Sequence, residues 1–396
     1  VNTPPNSPNE YTALVGATIY ASPTEEPISD GVVLIQGEKI VSVGRRAQMQ
    51  FPETAHALDC FGLTITAGLW NSHVHFFERK WADVAAIPAP ELGRQLQDML
   101  TRYGFTSVFD TGSVWENTRR LRDRIDSGEV PGPRIRSTGE GLVPPGALPS
   151  DQVLGMMGVM KLPAPEVADA AQAAAAAKKL LAADVDGIKI FASAPRGAPL
   201  PESVFQAAAD EAHRAGKPVF VHANNAADVL AAVCGGVDII AHTTPHSGPW
   251  DETLLATMKE RRVALTPTLT LWKYYMRHDR LSAQEKVADT EVSQLRAWIA
   301  TGGTVLFGTD LGAVEYDPTE EYTLMSQAGM TFPQILASLT TAPAERFGDA
   351  DKLGRITAGF QADLAVFHQD PAIDLRTLAH VKYTLRAGRI IYPAAE

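Results

Sequence analysis

Between residues 64 and 310 the chain changes texture at nearly regular intervals, and this alternation constrains the fold more than any other feature. Short β-branched runs recur: TSVFD (106–110), GIKIFAS (187–193), PVFVH (218–222), VDIIAH (237–242), VALTPTL (263–269) and TVLFGTD (304–310). The segments between them carry helical spacing. In residues 91–103, Leu92, Leu96, Met99, Leu100 and Tyr103 share a face, and Gly104 stops the helix. Residues 166–184 form an Ala-rich helical run, residues 202–215 end at Gly216, and residues 225–234 lead into the next strand. Strands starting near Thr64, Thr106, Arg134, Gly187, Pro218, Val237, Val263 and Thr304, joined by helices, predict a parallel sheet. With right-handed crossovers, eight such units predict an α/β fold, a distorted (β/α)8 TIM barrel over residues 64–349.

The two ends read differently. Residues 11–60 and the last 35 or so are short apolar strands broken by Gly, Pro and Asp. Each end alone offers too few strands to bury a core. The expectation is therefore one small β-sandwich domain built from residues 1–63 plus 350–396.

Composition narrows the function classes. With 45% hydrophobic and 20% charged residues the chain can build a large core. A formal net charge of −11 argues against nucleic acid and against an anionic membrane surface as partners. No apolar run approaches the roughly 18 residues of a membrane span. A small-molecule substrate fits better, and a homo-oligomer stays open. Cys60 and Cys234 are too few for a disulfide scaffold or a thiolate metal site, and read as small apolar residues. The polar, Pro-rich start VNTPPNSPN fits either the remnant of a removed signal peptide or a shortened chain, so the compartment, cytoplasmic or extracytoplasmic, is left open.

Polar residues collect at one place in this pattern, the C-terminal ends of the strands. His73 and His75 follow the first strand, Lys189 lies in the fourth, His222 ends the fifth, His242 the sixth and Asp310 the eighth. In a parallel barrel these ends share the face where active sites form. His-x-His in an extended segment turns Val74 away and aims both imidazoles at one point. Imidazole and carboxylate are ligands for zinc and similar divalent ions. Lys189 lies among Ile188, Ile190 and Phe191. A buried ammonium beside cations is costly, and neutralisation or conversion to an anionic carbamate removes the conflict. A lysine reaching out to the mouth is the plainer alternative.

Taken together, ITAGLWNSHVHF, GFTSVFDTG, GPRIRSTG, DGIKIF, PVFVH, GVDIIAH, LFGTD and the tail LGRITAGFQADLAVF resemble the amidohydrolase superfamily, in the branch related to imidazolonepropionase and Xaa-Pro dipeptidase-like (prolidase-like) enzymes. The resemblance implies two divalent metal ions, zinc first, with manganese or iron as alternatives. His73, His75 and Asp310 would hold one, His222 and His242 the other, with carbamylated Lys189 and a hydroxide bridging them. It implies hydrolysis of a C–N bond in a small amide, dipeptide or cyclic amide, with Asp310 as base and then acid. Ester or lactone hydrolysis, deamination by the same centre, a one-metal enzyme and a non-catalytic barrel relative are the alternatives. Ala67 and Asn71 stand where the family usually has Pro and Asp, and the loop over residues 140–163 lacks the Gly/His-rich stretch of the dipeptidase-like relatives.

Other residues have weaker patterns. His246, four residues past His242, and Tyr274 and Arg277 in the run WKYYMR are candidate substrate contacts, as are Arg79 and Lys80. His213 near a helix end reads as compensating the helix dipole. His56, His278, His368 and His380 read as structural or solvated.

Overall fold

The computed structural model describes residues 10–147, 161, 163–193 and 199–393. The VNTPPNSPN start and most of the 140–163 loop lie outside the described residues.

The first strands are β1 (Tyr11–Tyr20), β2 (Ile28–Gln36), β3 (Lys39–Arg45), β4 (His56–Asp59) and β5 (Thr64–Ala67). Eight short strands follow between helices: β6 (Leu69–Val74), β7 (Phe105–Asp110), β8 (Arg134–Ser137), β9 (Ile188–Phe191), β10 (Val219–His222), β11 (Ile239–Ala241), β12 (Ala264–Thr266) and β13 (Thr304–Val305). The last are β14 (Leu364–Phe367), β15 (Val381–Arg386) and β16 (Arg389–Tyr392).

Both chain ends build one mixed sheet in the order β16-β15-β14-β5-β1-β2-β3, with β4 also paired to β1. Its inner face buries Leu14, Ile19, Val33, Ile35, Ile65, Leu364, Val366 and Leu385. The opposite face of β14 and β15 turns Ala365, Phe367 and Val381 into the large core that also takes in the helices. The sequence places the first parallel strand near Thr64, but Thr64–Ala67 pairs with β1 and β14. The first strand of the parallel layer begins only after Gly68.

That layer consists of two sheets, β13-β12-β11-β10-β9 and β6-β7-β8, each parallel throughout. A single ring closed by continuous ladders is not formed. At one seam Ser72 N donates to Phe307 O (2.7 Å) and His75 N to Leu311 O (2.7 Å). At the other, Leu142 N donates to Lys189 O (2.8 Å) and Phe191 N to Leu142 O (2.8 Å). Both seams lie where the backbone leaves the extended region, with Gly139 at φ 63° and Asp310 at φ 61°. A regular ladder cannot run through such residues.

Most helices lie where the periodicity puts them: Ala89–Met99, Ala170–Ala182, Glu202–Arg214 and Ala226–Cys234. Asp169 and Asn225 cap two of them, accepting from Gln172 N and Asp228 N. Both cysteines are free thiols. Among the described residues no helix is long and apolar enough to cross a membrane.

Candidate metal centre

Every residue that the sequence puts at a strand end comes from the same edge of the parallel layer. His73 and His75 stand at the end of β6, His222 closes β10, and His242 follows β11. Asp310 sits five residues past β13. His73, His75, His242, Asp310 and Lys189 are all buried, and His222 is partly so.

The imidazole rings form a chain: His75 and His73 have centroids 5.1 Å apart, His73 and His242 4.8 Å, His242 and His222 4.6 Å. Asp310 joins from the side, Oδ1 lying 2.8 Å from His75 Nε2 and 3.4 Å from His73 Nε2. His73, His75 and Asp310 offer ligand atoms within 4.8 Å of one another, a group that could hold a metal ion. Two close approaches make this geometry. Asn71 Oδ1 accepts from His73 N (3.2 Å), while its Nδ2 donates to Thr309 Oγ1 (2.7 Å). A Cβ at Gly312 (φ 103°) would come within 2.6 Å of His75 O, so only glycine lets the chain after Asp310 lie against His75.

The hydrogen bonds around the rings assign their tautomers. His75 Nδ1 lies 2.9 Å from the Gly112 carbonyl, so it donates and leaves Nε2 facing Asp310. The Thr268 hydroxyl gives its proton to Pro267 O (2.8 Å) and accepts from His242 Nδ1 (2.6 Å), which frees His242 Nε2. Asn224 donates through Nδ2 to Ser193 O and Oγ, so its Oδ1 accepts from His222 Nε2 (3.1 Å) and frees His222 Nδ1. On His73 both nitrogens are buried without a hydrogen-bond partner, as is Asp310 Oδ1.

The protonation states suit a cation. Burial, then the charge of Lys189, pushes His73 down to about 3 and His222 down to about 4. Burial and His222 hold His242 well below its ordinary value. Burial alone would raise Asp310, but His73 and His75 beside it keep the carboxyl well below the usual range. Burial lowers Lys189 to about 7, against the opposing pull of Asp310. Neutral imidazoles on His73, His222 and His242, an ionised Asp310 and a Lys189 that is part amine at neutral pH result.

The weaker candidates sit farther out. His246 is exposed and meets the edge of Trp272 at 5.4 Å; Trp272 in turn faces His222 at 6.4 Å. Arg277 and Tyr274 bind each other, the guanidinium 4.1 Å over the ring and Nη1 donating to Tyr274 O (2.8 Å). Lys80 is bonded to Tyr316, which donates to Glu78 (2.7 Å). His213 is paired with Asp238 at 2.8 Å. His56, His278, His368 and His380 are exposed. Sequence reasoning missed Thr268 and Asn224. Asn224 had a weak signal, lying two residues past His222; Thr268 had none, because it meets His242 from the neighbouring strand.

A family described as the amidohydrolase family matches residues 64–393. Ochratoxinase of Aspergillus niger is 23% identical, over 90% of this chain and 81% of its own. A solved structure from Bifidobacterium longum, reported as a candidate prolidase, superposes with a TM-score of 0.82 at 26% identity, covering 98% of this chain and 96% of that one. A Xaa-Pro dipeptidase with methionine bound in its active site gives 0.81 at 22% identity, covering 96% and 99%.

Proposed function

For a chain that belongs to the amidohydrolase family, a hydrolase of carbon–nitrogen bonds, we propose a centre of two divalent cations, zinc first, acting on a small amide, dipeptide or cyclic amide. His73, His75 and Asp310 would hold one cation, His222 and His242 the other, and Lys189 as a carbamate would lie between them. One observation carries this reading. Three imidazoles have one nitrogen tied off by Gly112, Thr268 or Asn224, and the fourth, with Asp310 Oδ1, is buried with nothing bonded to it. Buried polar atoms left unpaired are costly, and a cation would satisfy them.

Bound divalent cations supply a Lewis acid that makes water nucleophilic near neutral pH and polarises the scissile carbonyl. The chain's own groups do the rest. Asp310, held ionised, takes a proton from water and delivers it to the leaving nitrogen, which an amide needs because an amide anion leaves poorly. Lys189, neutral in part near pH 7, can add through Nζ to CO2. An N–C bond forms, a proton goes to solvent, and the product is an anion suited to a site crowded with cations. The relatives support the substrate class: one is named for ochratoxin, and others for prolidase and Xaa-Pro dipeptidase activity.

We also read the two parallel sheets as arcs of one distorted barrel within residues 64–349, its strands beginning after Gly68 and its seams joined by pairs of backbone hydrogen bonds rather than continuous ladders. Residues 1–63 with 350–396, joined by the strand Thr64–Ala67 that pairs into their sheet, then make the β-sandwich domain.

The test is elemental analysis of protein reloaded with zinc or manganese in bicarbonate, with a panel of N-acyl amino acids, dipeptides and cyclic amides. Close to two ions per chain and hydrolysis of at least one class are expected. One ion or none overturns the two-cation centre, and no amide turnover overturns the substrate class.

A further inference from the structure

Four aromatic side chains stand at the polar pole. Phe77 stacks on His75, with centroids 4.6 Å apart and 24° between planes. Phe191 tilts over His222 at 5.2 Å. Trp272 faces His222 and His246, and Tyr275 lies 6.4 Å from Trp272. Neighbouring imidazoles beneath them are only 4.6–5.1 Å apart, so Phe77, Phe191 and Trp272 are each one ring contact from the same centre.

Trp272 also packs against the main core, but core packing does not account for the other three. Among the described residues, no hydrophobic cluster takes in Phe77, Phe191 or Tyr275. Phe77 and Phe191 are half-buried and Tyr275 is 49% exposed. A core ring buries both faces against apolar neighbours; Phe77 and Phe191 rest on imidazoles, Tyr275 lies beside Trp272, and all three leave apolar surface for another partner.

Their placement is nevertheless built. Trp272 Nε1 donates to Thr243 O (3.0 Å), fixing the indole. A Cβ on Gly141 would lie 2.8 Å from the Phe191 ring and 3.3 Å from Lys189 Cγ, so this ring position depends on glycine there. Tyr275 ends the same short helix that carries Trp272, and its phenol is pushed up to about 12, first by burial and then by the charge of Asp310. Of the candidate cations, Arg277 is engaged with Tyr274, and Lys80 with Tyr316 and Glu78. Among the described residues, the rings that meet the imidazoles of the centre from outside are Phe77, Phe191 and Trp272.

Resting on the amide-hydrolase reading above, we propose that Phe77, Phe191, Trp272 and Tyr275 form a collar selecting amides with an aromatic or comparably flat group beside the scissile bond. Ring-on-ring contacts add to area burial enough to discriminate by about tenfold.

The experiment compares matched substrates: benzoyl against hexanoyl on the acyl side, and phenylalanine against norleucine on the amine side. On at least one side kcat/KM should favour the aromatic member by about tenfold. Phe77→Leu and Phe191→Leu, each checked for an unchanged melting temperature, should compress that ratio about threefold or more. Equal or aliphatic-favouring ratios on both sides overturn the collar, as do folded variants that both keep the wild-type ratio. If no amide is turned over, the reading beneath it has failed separately. Calorimetric titration of the metal-loaded protein with benzoate and hexanoate then decides: benzoate bound about tenfold tighter supports the collar, and equal binding overturns it.

Discussion

Asp310, His242 and Thr268 hold their side chains on left-handed backbone, at φ 61°, 73° and 45°. Such conformations cost non-glycine residues about 1–3 kcal/mol each and persist where the surroundings over-determine them. Here the surroundings are explicit: Asp310 N donates to His73 O (2.9 Å), His242 N to Thr266 O (2.9 Å), and Thr268 Oγ1 to Pro267 O. The turn in the chain delivers the carboxylate to the two imidazoles of the neighbouring strand. Asp310→Asn keeps the shape and removes the ability to take a proton. Turnover should fall by about 10⁴-fold or more, since one positioned acid/base contributes about 10²–10⁴-fold and here it would serve two steps. Steady-state kinetics, with metal content measured on the same sample, check this. A variant that keeps its metal and works within about tenfold of the parent would place the proton transfer on another residue.

Among the elements, the short helix Thr270–Tyr275 shows how a loop at the pole is held. The buried Glu321 carboxyl accepts from Leu269 N (2.8 Å) and Thr270 N (3.0 Å) at its start. Burial nonetheless outweighs these bonds and raises Glu321 from 4.5 to about 7, with Glu320 adding repulsion. Glu291, nearby and also raised, feels the Glu321 charge. In the folded state Glu321 therefore keeps its proton where the unfolded chain has lost it. This stabilisation is full below about pH 4.5 and is lost as pH rises through about 7, a change of roughly 3 kcal/mol. Glu321→Gln should flatten that part of the profile, read as the difference between the two proteins' denaturation free energies from pH 4.5 to 8. Parallel profiles would show that Glu321 ionises in the fold as it does in the unfolded chain. The strands ending at His222 and just before His242 were legible because each is an apolar, β-branched run leading into its histidine, with helical spacing on either side. Thr64–Ala67 was not, because TITAGLW reads as one strand, and pairing with β1 and β14, distant in sequence, divides it at Gly68. The pairing of Thr268 with His242 and the rings of Phe77 and Phe191 were hidden for the same reason: their meaning lies in partners on other strands.

At the scale of the molecule, ion pairs and a hydrogen bond tie the terminal sheet to the helical body. Arg134 meets Asp363 at 2.9 Å, Arg386 meets Asp126 at 2.6 Å, and Thr384 Oγ1 donates to Thr101 O (2.6 Å). Asp363 is buried, so its pair with Arg134 is one whose breaking leaves an uncompensated charge. Removing about the last 40 residues takes away β14, β15 and β16. The β5 edge and the apolar face around Ile65 then lose their cover. Limited proteolysis should cut β1 through β5 much faster in the truncated chain than in the full one. Equal protection would mean that the two ends are stable independently.

The same pairing sets an order of events during synthesis. β5 is made about 300 residues before β14, its antiparallel neighbour. At about 5–20 residues per second the ribosome needs roughly 15–60 s to cover that distance. For that interval the nascent chain carries an unsatisfied strand edge and an uncovered apolar face, while the segments bearing the histidines are still emerging. The sheet that begins first is completed last.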